Sequence, residues 1–272
     1  MPAAREASAA ESGLPPLSHP GRVLYPEDGV TKRELADYYV AVASRLLPQL
    51  AARPLSLVRA TAGSRPFFQR HPRGSPGLSI AGIAVGGVRG DYLVCDAVAG
   101  LVSLAQLGAV ELHTWGSSLP DPLRADRLTF DLDPDPALDW RSVADAALWV
   151  AGDFARAAAE SMPACRPARF TAHPGAARRR GRIFVDYLRN APGATAVAAW
   201  SPRQRPGVPV AMPLSWREVE QDADLRGAHF TLRQLGGARL PRDPWAEYAR
   251  TTQALTAGAR RSLSRRGSGH GP

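Results

Sequence analysis

The sequence predicts an α+β fold, and three observations carry that prediction. Short apolar runs with period-two alternation are scattered along the chain. Amphipathic stretches with helical spacing fall between them. The two do not alternate in the regular βαβ rhythm of a doubly wound sheet. With 272 residues and 44% hydrophobic content, the chain has mass for a sizeable core and is too apolar to remain disordered.

Residues 1–16 are Ala/Ser/Glu-rich and lack the basic start and apolar run of a secretory signal, so they read as a disordered leader. The folded body is expected over 17–255, and residues 256–272 form a basic, low-complexity tail. Thr31-Lys32-Arg33-Glu34 is a capping box. Leu35, Tyr38, Tyr39, Val42 and Leu46 follow at helical spacing, which predicts a helix ending near Pro48. Pro54 introduces an extended run over 55–59, and Phe67-Phe68-Gln69 follows. Residues 72–90, rich in Gly, Pro and Ser, predict irregular loop with short strand pieces. A strand over 92–95, a helix over 98–107 stopped by Gly108, and strands over 110–113 and 127–132 come next. Residues 140–162 predict one long helix with Gly152 as its weak point. A strand over 182–188 is expected to pair with 194–200 as a hairpin. Ser215 to Glu218 is a second capping box that opens a short helix, and 244–255 predicts a last helix.

No run of eighteen uncharged apolar residues occurs, so no membrane span is expected. The two cysteines, Cys95 and Cys165, lie far apart without metal spacing. They argue against a disulfide scaffold or a zinc site and fit a reducing cytoplasm. The formal net charge of +9 favours polyanionic partners, nucleic acid first, although arginine-rich composition from codon bias gives the same sum.

The strongest chemical signal is Asp131-Leu132-Asp133 at the end of an apolar strand. Residues two apart share a strand face, so both carboxylates point the same way, where they repel unless a cation lies between them. Asp186 closes a second apolar strand, Ile183-Phe184-Val185-Asp186. Three hard oxygen ligands select Mg²⁺ or Mn²⁺ and suit a two-metal site that aligns a 3′-hydroxyl with a triphosphate. The same Asp/Pro run also serves simply to close a strand. His113 at a strand end suits a phosphate contact or a half-buried structural place. The arginines at 178, 179, 180 and 182 suit phosphates or a solvated loop. Phe67 and Phe68 suit stacking on bases or core filling. Lys32 at a helix N-terminus, with Arg22 nearby, suits a terminal phosphate or an ordinary first-turn charge.

These segments occur in one order: LSHPGRVLYPEDGVTKRELADYY, RPLSLVR, PFFQRHP, VELHTWGS, RLTFDLDPDP, RRRGRIFVDYLRNAPGATAVA and SPRQRPGVPVAMPLSW. In that order they resemble the polymerase module of bacterial ATP-dependent ligase D, within the archaeo-eukaryotic primase superfamily. The resemblance implies a primase-polymerase-like fold with a mixed central sheet flanked by helices. It implies that Asp131, Asp133 and Asp186 are the metal-binding acids and that His113 and Arg203 serve the nucleotide and metal site. Phe67 and Phe68 would pack on the template, while Lys32 and Arg22 would hold the 5′-phosphate of a gap or broken end. The implied activity is template-directed addition of nucleotides, often ribonucleotides, from nucleoside triphosphates with Mn²⁺ or Mg²⁺. The implied setting is non-homologous end joining in the bacterial cytoplasm, at the nucleoid, beside the Ku end-binding protein and an ATP-dependent DNA ligase. Lys32 is the only lysine, which suggests a polymerase-type module without a ligase nucleophile.

The sequence departs from the family in one interval. A family motif of the form Ser-Gly-x-Lys-Gly-x-His, which holds the incoming triphosphate, does not occur between Asp133 and Asp186. That interval is several tens of residues short, with the break near 150–153. The departure predicts a shortened catalytic sheet in which the two acid-bearing strands pair directly. It also raises a second reading, a weakened or inactive module that binds DNA ends.

Overall fold

Thr31 starts the first helix as its sequence asks. In the computed structural model its hydroxyl accepts from the Glu34 N–H at 3.2 Å, and the Glu34 carboxylate accepts from the Thr31 N–H at 2.9 Å. The structure describes residues 13–61, 65–71, 74–157, 168–171, 175–222, 225, 229–237 and 240–251. The leader up to residue 12 and the tail from 252 therefore lie outside the described residues. The chain divides into two compact units. One is Met1–Leu128, Asn190–Pro213 and Gly227–Ala246; the other is Thr129–Arg189, Leu214–Arg226 and Glu247–Pro272.

In the first unit, α1 (Lys32–Ala41) breaks at Val42, and α2 (Ala43–Leu50) follows. The expected single helix is thus two, and Pro48 lies inside the second instead of ending it. Pro48 forgoes one backbone bond, and the buried Leu46 and Leu50 hold that turn on the core. A short ribbon, β1 (Val23–Tyr25) with β2 (Val30–Thr31), precedes them.

The main sheet of this unit is antiparallel throughout. It runs β11 (Thr195–Val197), β7 (Ala109–Trp115), β3 (Leu55–Arg59), β6 (Val88–Val94), β5 (Ser79–Val85). The short β4 (Phe67–Gln69) also pairs with β3. Leu57 pairs with Leu112, and both are buried against helical residues such as Leu35, Tyr39 and Leu46. The intervening register sets Ser56 opposite His113 and Val58 opposite Glu111, so alternation places Glu111 and His113 on the other face. Helix α3 (Val98–Gln106) ends before Gly108, whose φ of +71° and close approach to the Ala60 carbonyl exclude a side chain. Three buried phenols donate to main-chain carbonyls: Tyr25 to Val110 at 2.7 Å, Tyr38 to Trp200 at 2.8 Å and Tyr39 to Ala109 at 2.8 Å. Burial pushes all three phenols well above the ordinary tyrosine range.

Two expectations change here. Much of the stretch read as irregular loop, 72–90, is a regular hairpin of seven-residue strands, β5 and β6, turned at Gly86-Gly87. Both turn glycines have positive φ, 58° and 82°, as a two-residue primed turn requires. The segment expected to form a hairpin with Asp186's strand, β11, pairs instead with β7. A one-turn 3-10 helix, Tyr187–Asn190, separates the two strands and replaces the hairpin turn.

The second unit holds a three-stranded sheet, ordered β8 (Asp131–Pro134), β10 (Ile183–Asp186), β9 (Phe170–Thr171). The first pair is antiparallel and the second parallel, so the expected mixed character belongs to this small sheet. The strand read as 127–132 starts at Asp131, because its four-residue partner faces only Asp131–Pro134. Ile183, Val185 and Phe170 form a small core with Ala146 from α4 (Trp140–Ala157), and Leu132 and Phe130 pack against it. Residues 158–162 of the expected long helix lie outside the described residues. The unit also contains α5 (Ala176–Arg179) and α6 (Trp216–Gln221), the latter opened by the predicted Ser215/Glu218 capping box. The helix α7 (Leu232–Gly236) belongs to the first unit. Of the last expected helix, 244–255, the described residues 244–251 hold only a 3-10 turn at Tyr248–Arg250, and 252–255 lie outside the described residues. Asp243 Oδ1 takes the Trp245 N–H at 2.9 Å and turns the chain before it. Among the described residues no helix is long and apolar enough to cross a membrane.

Candidate functional site

All three aspartates lie in the small sheet of the second unit. Asp131 opens β8 and Asp186 closes β10, and antiparallel register sets them directly opposite one another. Asp133, opposite Phe184, lies on the same face by strand alternation. Leu132, Ile183 and Val185 turn to the core behind them. The acids are compensated by arginines. Arg189 Nε lies 3.1 Å from Asp131 Oδ2 and 3.1 Å from Asp186 Oδ2. Arg179, at the end of α5, forms a close ion pair with Asp133.

Two carboxylates converging on one cationic atom show that Asp131 and Asp186 fit a shared cation, and their oxygens are the hard donors that Mg²⁺ and Mn²⁺ prefer. Asp133 is drawn aside to Arg179. Among the described residues no three His, Cys, Asp or Glu side chains gather as a metal-holding group. Asp135 has a structural place. Its oxygens accept from the backbone N–H groups of Ala137 and Gly181, at 2.9 and 2.8 Å, and these bonds lower its pKa. Of the basic run, Arg179 serves Asp133, Arg180 is exposed, and the Arg178 side chain lies outside the described residues.

His113 and Arg203 meet in the first unit, through a residue that the sequence did not single out. Glu111, two positions before His113 on β7, is 7% exposed. Its Oε2 lies 2.9 Å from His113 Nε2. Its Oε1 accepts from the Gln204 N–H at 2.7 Å and from Arg203 Nε at 3.3 Å. Burial alone would raise the pKa of Glu111. The bonds from His113 and Gln204 and the charge of Arg203 outweigh it, so the net shift is downward. A Glu two positions before a His in an otherwise apolar strand was the available signal. Its partners lie about ninety residues away and left no mark in the local pattern.

Phe67 and Phe68 are exposed, at 41% and 46%, and so are not core filling. Arg59 lies over the Phe67 ring and Arg70 over the Phe68 ring, with cation-to-centroid distances of 5.9 and 6.0 Å. Phe68 also meets the His113 ring edge-on at 5.5 Å. Lys32 is neither an exposed charge nor an open one. It is 2% exposed, and its Nζ donates to the Ser18 carbonyl at 2.8 Å and to Gln106 Oε1 at 3.3 Å. Burial, then the positive Arg22, lower its pKa, and the Lys32 N–H donates to the Arg22 carbonyl at 2.8 Å, so the two residues are neighbours.

This geometry can be set beside known proteins. The family model described as "LigD, primase-polymerase domain" matches residues 31–154 and 149–245. The two matched segments overlap within α4. The multifunctional non-homologous end joining protein LigD of Pseudomonas aeruginosa is 36% identical over 313 aligned positions, which take in 96% of this chain and 36% of the relative. That alignment is longer than the 272 residues of the chain, so the relative carries residues that have no counterpart here. The multifunctional non-homologous end joining DNA repair protein LigD of Mycobacterium tuberculosis is 30% identical over 254 positions, 76% of this chain and 34% of that protein. The chain thus spans about a third of the length of these curated relatives. Among solved structures, the polymerase domain from Mycobacterium tuberculosis ligase D, in complex with DNA, superposes with a TM-score of 0.72 at 27% identity. That match covers 82% of this chain and 93% of that one. Family model, relatives and solved structure point the same way: the chain belongs to the LigD primase-polymerase domain family.

Proposed function

We propose that this chain is a nucleotidyltransferase that adds nucleotides, ribonucleotides included, under template direction at gaps and broken ends of DNA. It would act as the polymerase module of bacterial non-homologous end joining, in the cytoplasm at the nucleoid. The observation that carries the reading is the β8–β10 register, which sets Asp186 opposite Asp131 on the face that Asp133 shares. Asp131 and Asp186 would hold Mn²⁺ or Mg²⁺, and Asp133 would join them once Arg179 gives way. The bound metal would supply charge stabilisation for attack of a 3′-hydroxyl on a nucleoside triphosphate, with pyrophosphate leaving. Phe67 and Phe68, exposed and flanked by arginines, suit stacking on template bases. Arg22 would meet the 5′-phosphate, Lys32 would join it only by leaving the Ser18 carbonyl and Gln106, and His113 and Arg203 would serve the nucleotide. Ku and an ATP-dependent ligase would be the partners, since the relatives are named for end joining.

The family's triphosphate grip, a Ser/Lys/His motif, has no counterpart in the sequence between Asp133 and Asp186. Loss of one electrostatic donor typically costs on the order of 10² to 10³ in rate, so extension is expected to be slow. The test is Mn²⁺-dependent extension of a gapped duplex bearing a 5′-phosphate. Product is expected from the wild-type chain and none from Asp131→Ala. No product above that control ends the enzyme reading. In that event, tighter binding of 5′-phosphate than of 5′-hydroxyl gaps would mark a DNA-end-binding module instead.

A further inference from the structure

A lone carboxylate in the middle of a buried strand is expensive unless donors meet it, because removing a charge from water costs several kcal/mol. Glu111 is met on both oxygens. Oε1 receives the Gln204 main-chain N–H and the Arg203 Nε–H, and Oε2 faces His113 Nε2. The donors come from β7 itself and from the loop after Pro202, where the Arg203 N–H donates to the Pro209 carbonyl at 2.8 Å. One side chain thus joins the two residues that the family resemblance marks, across ninety positions of sequence.

The chemistry of the contacts fixes more than distance. A carboxylate accepts only, so the hydrogen between Glu111 and His113 belongs to Nε2. In the neutral ring, Nδ1 then keeps its lone pair and can accept. Phe68 closes on the same ring edge-on at 5.5 Å and limits its rotation. Ser56, directly opposite His113 across the strand pair, is fully buried. Its hydroxyl has no hydrogen-bond partner among the described residues, so it does not compete with Glu111 for the ring. On the other oxygen, the bond to Arg203 uses Nε–H and leaves the two terminal amino groups of the guanidinium outside it.

We infer that Glu111 is a positioning residue of the polymerase reaction: its carboxylate fixes the Nε2–H tautomer and orientation of His113 and directs the terminal amino groups of Arg203 toward an anionic partner. The role resembles that of the outer partner of a metal-bound histidine, whose loss commonly reduces activity ten- to a hundredfold. The inference rests on the polymerase reading for its consequence in rate, but not for its geometry.

Long-range proton–nitrogen NMR of the His113 ring in the wild-type chain, at a pH where the ring is neutral, is the first measurement. Hydrogen on Nε2 and a bare Nδ1 are expected; hydrogen on Nδ1 overturns the inference without any variant. The second measurement uses Glu111→Gln, whose amide cannot present acceptors to all three donors. The tautomer is expected to become mixed, and extension of gapped DNA to slow by about ten- to a hundredfold with a smaller change in nucleotide KM. Glu111→Asp is expected to restore the tautomer and part of the rate. A Glu111→Gln ring and rate both like wild type overturn the inference. If the wild-type chain extends no DNA, the polymerase reading fails by itself, and the ring spectra still decide on Glu111.

Discussion

The two units use carboxylates in opposite ways. Glu111 of the first unit is 7% exposed, and both its oxygens are committed to donors from its own strand and a neighbouring loop. Asp131 and Asp133 of the second unit keep about half of each side chain exposed, 47% and 53%, and answer to arginine side chains rather than to the main chain. A buried, saturated carboxylate is part of the structure and orients its neighbours. An exposed carboxylate held by a guanidinium can exchange that cation for another at small cost, since exposed pairs are worth about 1 kcal/mol or less. Asp131 and Asp133 are thus the acids the fold leaves exchangeable, whereas Asp186, 16% exposed, is held more deeply.

The sharpest way to break this comparison is by stability. Glu111→Ala leaves His113, Arg203 and the Gln204 N–H without their acceptor. It is expected to lower the free energy of unfolding by about 3–5 kcal/mol. Asp131→Ala should change it by about 1 kcal/mol or less. Urea unfolding of both variants at neutral pH reads the difference, and equal losses would erase the distinction between the units. The Glu111 contribution also has a pH signature. Its folded pKa lies below the ordinary 4.5, so the unfolded chain takes up the proton first as pH falls. The contribution is complete above 4.5 and is lost as pH drops through the lower folded value. Wild type and Glu111→Ala should therefore draw together in acid, and stability curves that stay parallel would show that no charged partner is involved.

The same contrast explains what the sequence made legible. The aspartates could be read because their geometry is local. Asp131 and Asp133 share a face by strand period, and Asp131 at the start of one strand meets Asp186 at the end of the other once the two pair antiparallel. The capping boxes at Thr31 and Ser215 are local in the same sense, and both form. Glu111 was not legible because its value lies in contacts with Arg203 and Gln204, which only the tertiary fold supplies. Lys32 was legible as a basic residue beside Arg22. Its burial against Ser18 and Gln106 was not, since neither partner is a local neighbour. The Gly86-Gly87 hairpin was misread for a different reason. Composition pointed to loop, while the two-residue glycine turn between alternating runs pointed to a hairpin, and the turn decided the outcome.

A smaller effect sharpens the boundary of the first cluster. Phe67→Ala and Phe68→Ala are each expected to weaken binding of a gapped duplex by about 1–3 kcal/mol, the usual range for one base–aromatic stack. Only Phe68 touches His113. Phe68→Ala alone should therefore shift the His113 ring resonances, while Phe67→Ala leaves them in place. Equal shifts in both variants would mean that the histidine is not held from the Phe68 side.

The smallest effect belongs to the second unit and tests whether its acids are exchangeable. Arg189 Nε occupies the position between Asp131 and Asp186 where the two carboxylates converge. A divalent ion bound by that pair must displace the guanidinium or accept its repulsion. Arg189→Gln removes the positive charge and keeps a polar side chain of similar reach. Mn²⁺ binding to this variant, measured by titration calorimetry without nucleotide or DNA, is expected to be about three- to tenfold tighter than in the wild type. That corresponds to the loss of a competitor worth roughly 1 kcal/mol. Arg179→Gln should do less, because Arg179 meets only Asp133 in this group. Weaker Mn²⁺ binding in Arg189→Gln would reverse the argument: the guanidinium would then be what assembles the acid pair, and Asp131 and Asp186 would resemble Glu111 in depending on their donor.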